Sequence, residues 1–310
     1  MAGLEPATRP KRQSRKDSVS TPTLPPLRFI PVMQPQLVDV APSGSGWLHE
    51  IKYDGCRTQL HVDAGAVKAF SRNGHDWTGK YPHIVADARA IPASQAIIDG
   101  EVCVQDANGV TDFGLLPGAI RSRPGDLVFF AFDLLHLDGQ DLRAAPLEER
   151  RANLRLLVSQ VPGARIVMSD EYDGEGPAFF ELVDRTGLEG MVSKRKGSRY
   201  SSGSTQSWLK TKCWHTETFE VVEVERDKAG IPYAILADQD GYKGTAFIGL
   251  PAAMRTAFWR FVEDRTGVAP AGMRRPKATW LQPGMTAQVR YLKGSDKLRH
   301  AVVQRVEVER

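Results

Sequence analysis

Three segments rich in β-branched and aromatic residues constrain the fold most. "VKAFSRNG" (67–74), "QAIIDGEVCVQD" (95–106) and "DLVFFAFDLLHLDG" (126–139) end in Asn-Gly, Asp or Asp-Gly, the pattern of strands closed by turns. "PLEERRANLRLLVSQ" (146–160) and "GPAFFELVDRTG" (176–187) have helical apolar spacing, the second closed by Gly187 at a C-cap position. From about Leu37 to Cys213 strands predominate and helices do not alternate with them strictly. That predicts an α+β arrangement: antiparallel sheets with helices on their outer faces. After Cys213 the texture changes. "FEVVEVERD", "PYAILADQD" and "GTAFIGL" read as short strands, "AAMRTAFWRFVEDRTG" as a helix, and "TAQVRYLKG" and "LRHAVVQRVEVE" as two more strands. Five strands and one helix fit a small Greek-key barrel of the OB type. The expected division is a basic arm at 1–27, a first domain at 28–215 and a barrel domain at 216–310.

A chain of 310 residues has room for two domains, and its 41% hydrophobic and 25% charged residues are those of a soluble globular protein. No apolar run approaches the roughly 20 residues that cross a bilayer, and no signal-peptide core opens the chain. Cys56, Cys103 and Cys213 are not in metal-binding spacing, which predicts reduced thiols in a cytoplasmic protein. Much of the formal charge of +4 sits in 1–27, where Arg9, Lys11, Arg12, Arg15 and Lys16 stand against Glu5 and Asp17. That segment has no apolar periodicity and reads as disordered, either a solubilising terminus or an electrostatic contact for DNA or a partner. Nucleic-acid binding elsewhere would need local basic clusters rather than a uniformly positive surface.

In "HEIKYDGCR" (49–57) a lysine precedes an Asp-Gly pair. Asp-Gly after an alternating segment signals a hairpin turn, which would leave Lys52 an exposed strand-end lysine. A lysine becomes a nucleophile when neighbouring cations or desolvation lower its pKa. "SWLKTKC" supplies such cations: on a strand, Lys210 and Lys212 project to one face, as a solvated surface or as a phosphate clamp. Asp99, Glu101, Asp133 and Glu189 each lie beside an apolar strand. They are ordinary turn residues, or they hold a divalent cation or ribose hydroxyls. Phe130 and Phe132 share a strand face, suited to core packing or to stacking on a purine. The densest basic cluster outside the arm is "SKRKGSRYSSGSTQSWLKTK" (193–212), and a phosphate-rich partner accounts for that density.

Taken in order, six segments resemble the motif series of covalent nucleotidyltransferases. They are "EIKYDGCR" (50–57), "SRNG" (71–74), "DGE" (99–101), "FAFDLLHLDG" (130–139), "EGMVSKR" (189–195) and "WLKTKC" (208–213). More narrowly, the sequence resembles ATP-dependent DNA ligases, especially the ligase module of bacterial non-homologous end-joining ligases, from about residue 30 onward. The resemblance implies that 28–215 is an adenylation (nucleotidyltransferase) domain with ATP-grasp-like antiparallel sheets and flanking helices, followed by the OB-fold domain.

The resemblance implies that Lys52 attacks the α-phosphate of ATP, giving a lysyl-AMP and pyrophosphate. AMP then passes to the 5′-phosphate of a DNA break, and the 3′-hydroxyl displaces it. Phe132 is implied to stack on adenine, with Glu50 and Ile51 also on the nucleotide. Glu101 and Arg72 are implied near the ribose or the DNA phosphate, and Arg57 on phosphate at the nick. Glu189, with Glu101, is implied to hold Mg²⁺ or Mn²⁺. Lys194, Lys210 and Lys212 would neutralise phosphates. The barrel would swing, bringing Arg299 of "LRHAVVQRV" to the departing pyrophosphate. Here the match weakens, because the Asp-Lys pair common near the family's C-terminus does not follow Arg299 and the sequence ends "EVER". The implied partners are nicked or broken duplex DNA and a Ku-like end-binding protein, for a monomer at the bacterial nucleoid. An RNA ligase and an mRNA-capping guanylyltransferase share the lysine motif. A non-catalytic OB-type nucleic-acid-binding protein is the reading from outside enzymology, and its phosphate binding would be weakened by the carboxylates.

Overall fold

The computed structural model describes residues 24–249, 252–268, 279–292 and 298–308. In chain order the elements are β1 (Met33–Leu37), β2 (Trp47–Ile51), β3 (Cys56–Asp63), β4 (Ala66–Ser71), α1 (Pro82–Ala88), β5 (Gln95–Cys103) and α2 (Leu116–Ser122). Then come β6 (Val128–Leu137), β7 (Gln140–Asp141), α3 (Leu147–Ser159), β8 (Ile166–Met168), α4 (Gly176–Arg185), β9 (Gly190–Arg195) and β10 (Gly203–Lys212). The remainder is β11 (Trp214–Arg226), β12 (Pro232–Asp238), β13 (Gly241–Ile248), α5 (Ala252–Glu263), β14 (Met285–Leu292) and β15 (Arg299–Val308).

Two sheets build the first part. One has the order β1-β10-β9-β2; the other runs β4-β3-β5-β6-β7, with β8 beside β6. Most pairs are antiparallel, but β1 pairs β10 and β8 pairs β6 in parallel, so the sheets are mixed rather than purely antiparallel. Strand β5 is buried along almost its whole length, with Asp99 and Glu101 set among its apolar residues. Its Ile98 joins Leu60, Phe129, Leu134 and, from helices α1 and α3, Ile84 and Leu154 in the main core. Helix α4 ends as the sequence predicts, with Gly187 at φ 74° and its N–H on the Asp184 carbonyl at 3.1 Å. Strands β11 to β15 close into a barrel in the order β11-β12-β13-β15-β14, with its own core of residues such as Phe219, Leu236 and Val289. No helix among the described residues is long and apolar enough to cross a membrane.

The expected arm lies outside the described residues from 1 to 23. Its last four residues, Leu24 to Leu27, lie against the body: Gln95 Nε2 donates to the Pro25 carbonyl at 2.9 Å, and Leu27 is packed on buried Met33 and Tyr200. Further on, Gln59 bonds both the N–H and the carbonyl of Ile30, at 3.3 and 2.6 Å. This strap runs across the face of the sheet turned away from the helices, the one that carries Gln59 and His61, and leads into β1.

Under the strap lies buried His61, stacked edge-on against Phe70 with ring centroids 4.7 Å apart. Burial pushes its imidazole down to about 4, helped by the nearby His136. In the unfolded chain it titrates near 6.5, so the unfolded state binds a proton between pH 6.5 and about 4 that the fold refuses. Stability therefore falls with pH across that window, by about 2 kcal/mol between pH 7 and 5. Urea unfolding of His61→Leu should show a correspondingly shallower fall over the same interval.

Candidate active site

Lys52 directly follows β2, and its N–H donates to the Gly190 carbonyl at 2.9 Å, tying it to β9. Strand alternation sends Glu50 and Lys52 to one side and His49 to the other, where His49 meets Ser193 and Phe179. The Lys52 ammonium is ion-paired with Glu189, whose other oxygen lies 3.7 Å from Lys212 Nζ. Lys210 and Lys212 titrate below the ordinary lysine value. Burial is the chief cause in each, and the Lys52 charge adds to it. A patch of three lysines around one carboxylate is thus built where a polyanion would find several charges at once.

Glu101, half-buried on β5, has its carboxyl pushed up to about 7 by burial, against the pull of Arg57 and Lys52 and with the help of Glu189. The two glutamates therefore share the space beside Lys52. Among the described residues no group of three or more His, Cys, Asp or Glu side chains is arranged to hold a metal ion.

The "DG" after Lys52 is not a hairpin turn. Strand β2 pairs with β9, whereas β3 pairs with β4 and β5, so residues 52–55 carry the chain from one sheet to the other. Gly55 is required by close approach: a Cβ there would meet the Val102 carbonyl at 2.3 Å and Cys103 Sγ at 2.6 Å. Asp54 is a junction. Its N–H donates to Thr111 Oγ1 at 3.1 Å, and its carboxylate accepts from the Phe113 N–H at 3.1 Å. The same carboxylate takes a two-pronged pair from Arg299 of the barrel, Nη1 to Oδ2 and Nη2 to Oδ1, the latter at 2.9 Å. Burial would push the Asp54 carboxyl up, but the Arg299 and Phe113 bonds outweigh it and hold it below the usual carboxylate value. Arg299 also lies over the Phe113 ring, 5.3 Å from its centroid.

At the other end Glu50 is buried. Its Oε1 accepts from Arg151 and from Lys194 Nζ, the latter at 2.8 Å, and its Oε2 from Ser169 Oγ at 3.2 Å. Lys194, expected on the phosphates with Lys210 and Lys212, is instead enclosed between the Phe132 and Trp208 rings, 4.6 and 4.4 Å from their centroids. Burial lowers its pKa to about 8, against the pull of Glu50. Arg57 is likewise held within the protein. Its Nε and Nη2 each donate to Asp99 at 2.7 Å, and its guanidinium lies 4.4 Å from the Phe132 centroid. Tyr200 completes this corner, donating to Asp99 Oδ2 at 2.7 Å and accepting from the Met33 N–H at 2.9 Å. Arg72 is exposed at the rim and bonds Gln34 at 2.7 Å.

All twelve candidate residues line one cavity of about 700 Å³: Lys52, Lys210, Lys212, Glu50, Ile51, Arg57, Arg72, Glu101, Phe132, Glu189, Lys194 and Arg299. The cavity is polarised, with lysines and glutamates at the Lys52 end and a ring-lined slot with one carboxylate at the Phe132 end. Sequence reasoning missed Asp54 as a partner of the barrel, and it missed Tyr200 and Arg151. The signal for Arg151 was present: Leu147, Arg150, Arg151 and Leu154 occupy i, i+3, i+4 and i+7 of α3, the core-facing positions of a helix.

The family model described as the ATP dependent DNA ligase domain matches residues 37–212. The multifunctional non-homologous end joining protein LigD of Pseudomonas aeruginosa is 33% identical over 218 residues, covering 70% of this chain and 25% of that protein. The chain thus spans about a quarter of that relative's length. Among solved structures, the ligase domain of M. tuberculosis LigD is 28% identical with a TM-score of 0.56, covering 90% of this chain and 97% of that one. A mycobacterial DNA ligase D complexed with ATP and MES gives 27% and 0.57 over 90% and 95%. This chain belongs to the ATP-dependent DNA ligase domain family.

Proposed function

We propose that this protein seals breaks in duplex DNA at the expense of ATP, in end-joining repair. The observation that carries the reading is the polarised cavity: Lys52, Lys210, Lys212 and Glu189 at one end, and Phe132 with Glu50 at the other. Adenine enters the slot beside Phe132, where the Glu50 carboxylate accepts from the exocyclic amine. The triphosphate then extends towards the lysines. Lys52 must lose a proton before it attacks, and the Glu189 carboxylate is its hydrogen-bond acceptor. The Nζ–P bond forms as the bond to pyrophosphate breaks, with Lys210 and Lys212 offsetting the charge on the phosphates. AMP then passes from Lys52 to a DNA 5′-phosphate, and a 3′-hydroxyl displaces it.

Glu101 and Glu189 are the residues that would hold a divalent cation. Two carboxylates beside substrate phosphates suit Mg²⁺ or Mn²⁺, which keep few protein ligands. The ion would supply charge neutralisation at the α-phosphate. We read the barrel as an OB fold, with domains at 28–215 and 216–310, and its Arg299 as the contact that marks closure. The protein acts in this reading as a cytoplasmic monomer, recruited by a Ku-like end-binding partner.

The test is incubation of the purified chain with Mg²⁺ and α-labelled ATP, GTP or NAD, followed by denaturation. Label from ATP alone, then transferred to a nicked duplex and released on sealing, is the expected result. Label from GTP would replace this reading with capping chemistry, and no label from any nucleotide would leave a binding protein.

A further inference from the structure

Helix α3 turns two arginines into the protein, Arg150 and Arg151, both almost fully buried. Arg150 is matched to Asp133 by two bonds of 2.7 and 2.8 Å, beside Phe132. Arg151 has a different set of partners. Its Nη1 reaches Glu50 and the Phe132 carbonyl, the latter at 3.1 Å; its Nη2 donates to the Ser169 carbonyl at 2.8 Å; its Nε donates to Glu171 at 2.9 Å. Burying an arginine is costly unless every edge is paired, and a leucine of α3 would pack at this position without that cost. What Arg151 adds is a fixed direction for the Glu50 carboxylate.

A carboxylate has about four acceptor positions. Arg151 and Lys194 occupy Oε1, and Ser169 Oγ takes one position on Oε2. One acceptor on Oε2 is left for a donor in the cavity that Glu50 lines. An acceptor-only group discriminates by chemistry. The 6-amino group of adenine donates to it, whereas the 6-oxo group of guanine or hypoxanthine turns lone pairs towards it.

We propose that Arg151 is a positioning residue for nucleotide choice: it aims the last free acceptor of Glu50 at position 6 of the purine. This rests on the reading of the cavity as an ATP site. Arg151 is not among the residues that line the cavity, and it acts through Glu50, the lining residue whose carboxylate it holds. Its effect is confined to nucleotides that carry a 6-amino group.

The test compares the unaltered chain with Arg151→Lys, Ser169→Ala and Glu50→Gln. Formation of the lysyl-nucleotide is measured with ATP, with inosine triphosphate and with purine riboside triphosphate, which has nothing at position 6. In the wild type the KM for purine riboside triphosphate should exceed that for ATP. Arg151→Lys should shrink that ratio about tenfold, the size of one hydrogen bond to a charged group, through KM rather than kcat. Ser169→Ala should move it the same way by less. Glu50→Gln, which can donate an N–H, should shift preference towards inosine triphosphate. A KM that rises by the same factor for ATP and purine riboside triphosphate would overturn the proposal, since it would mark a general loss of packing. If Arg151→Lys does not fold, the ratio in Ser169→Ala decides in the same way. A wild type that forms no lysyl-nucleotide removes the ATP-site reading itself; one that forms it with unaltered ratios in the variants removes only the role of Arg151.

Discussion

Lys52→Ala should form no covalent adenylate. In the proposed chemistry the Nζ atom is the nucleophile, and no other side chain in the cavity can substitute. Lys210 and Lys212 lie on β10, whereas Lys52 alone pairs with Glu189 at its closer oxygen. Removal of a covalent nucleophile costs orders of magnitude in rate, roughly 10⁴-fold or more. Alanine also removes a positive charge, so Lys52→Arg separates the two effects. An arginine keeps the charge and the attraction for phosphate but stays protonated and cannot attack. Both variants should lack the label from α-labelled ATP that survives denaturation and alkali but is lost in acid, and Lys52→Arg should retain the greater share of nucleotide affinity. Joining of a nick already bearing a 5′-adenylate bypasses the lysine adduct, so both should retain measurable activity there. A labelled protein band in Lys52→Ala would transfer the nucleophile to another residue.

The second large effect concerns the contact between the barrel and the residue two positions after Lys52. Arg299→Ala leaves the Asp54 carboxylate buried with the Phe113 N–H as its remaining close donor. Breaking a buried ion pair costs about 3–5 kcal/mol. The side chains are 19% and 8% exposed, so the lower end of that range applies, and the closed arrangement should become roughly 10²-fold less populated. Adenylation of Lys52 should slow by that order if Arg299 approaches the phosphates only when the barrel is closed. Sealing of pre-adenylated nicks should fall much less, because the proposed cycle has the barrel leave Asp54 by then. Asp54→Asn, which keeps an acceptor for Phe113, should act in the same direction. The double variant should be little worse than the more damaged single one, as expected for two ends of one contact. Equal slowing of both steps in Arg299→Ala would instead assign the pair a purely structural role.

Much of the site was legible because its charged residues interrupt or flank apolar strands. Lys52, Glu101, Glu189, Lys210 and Lys212 were found in that way, and the structure brings them to one cavity. What they bond was less legible. Three Asp-Gly pairs show why. Asp138-Gly139 is a two-residue hairpin between β6 and β7, with φ of 44° and 86°. Asp99-Gly100 lies inside β5. Asp54-Gly55 crosses between sheets. The same dipeptide serves three structures because long-range partners decide among them: Asp99 answers to Arg57, 42 residues away, and Asp54 to Arg299. Arg151 escaped for a related reason. A charged residue on a helix reads as solvent-facing until a buried carboxylate is known to await it, and Glu50 is 101 residues distant. Lys194 shows the converse. Within a basic run it reads as one more phosphate ligand, yet alternation along β9 points it into the protein while Arg195 remains exposed.

The link between Asp54 and Arg299 spans 245 residues, and this bears on how the protein matures. Contacts so distant in sequence form late, after local structure has reduced the cost of closing the loop. Before β15 docks, the cavity lacks the part of its lining that Arg299 and His300 supply. A ligand that needs the whole lining would bind the assembled fold in preference to partly folded forms, and would stabilise it by mass action.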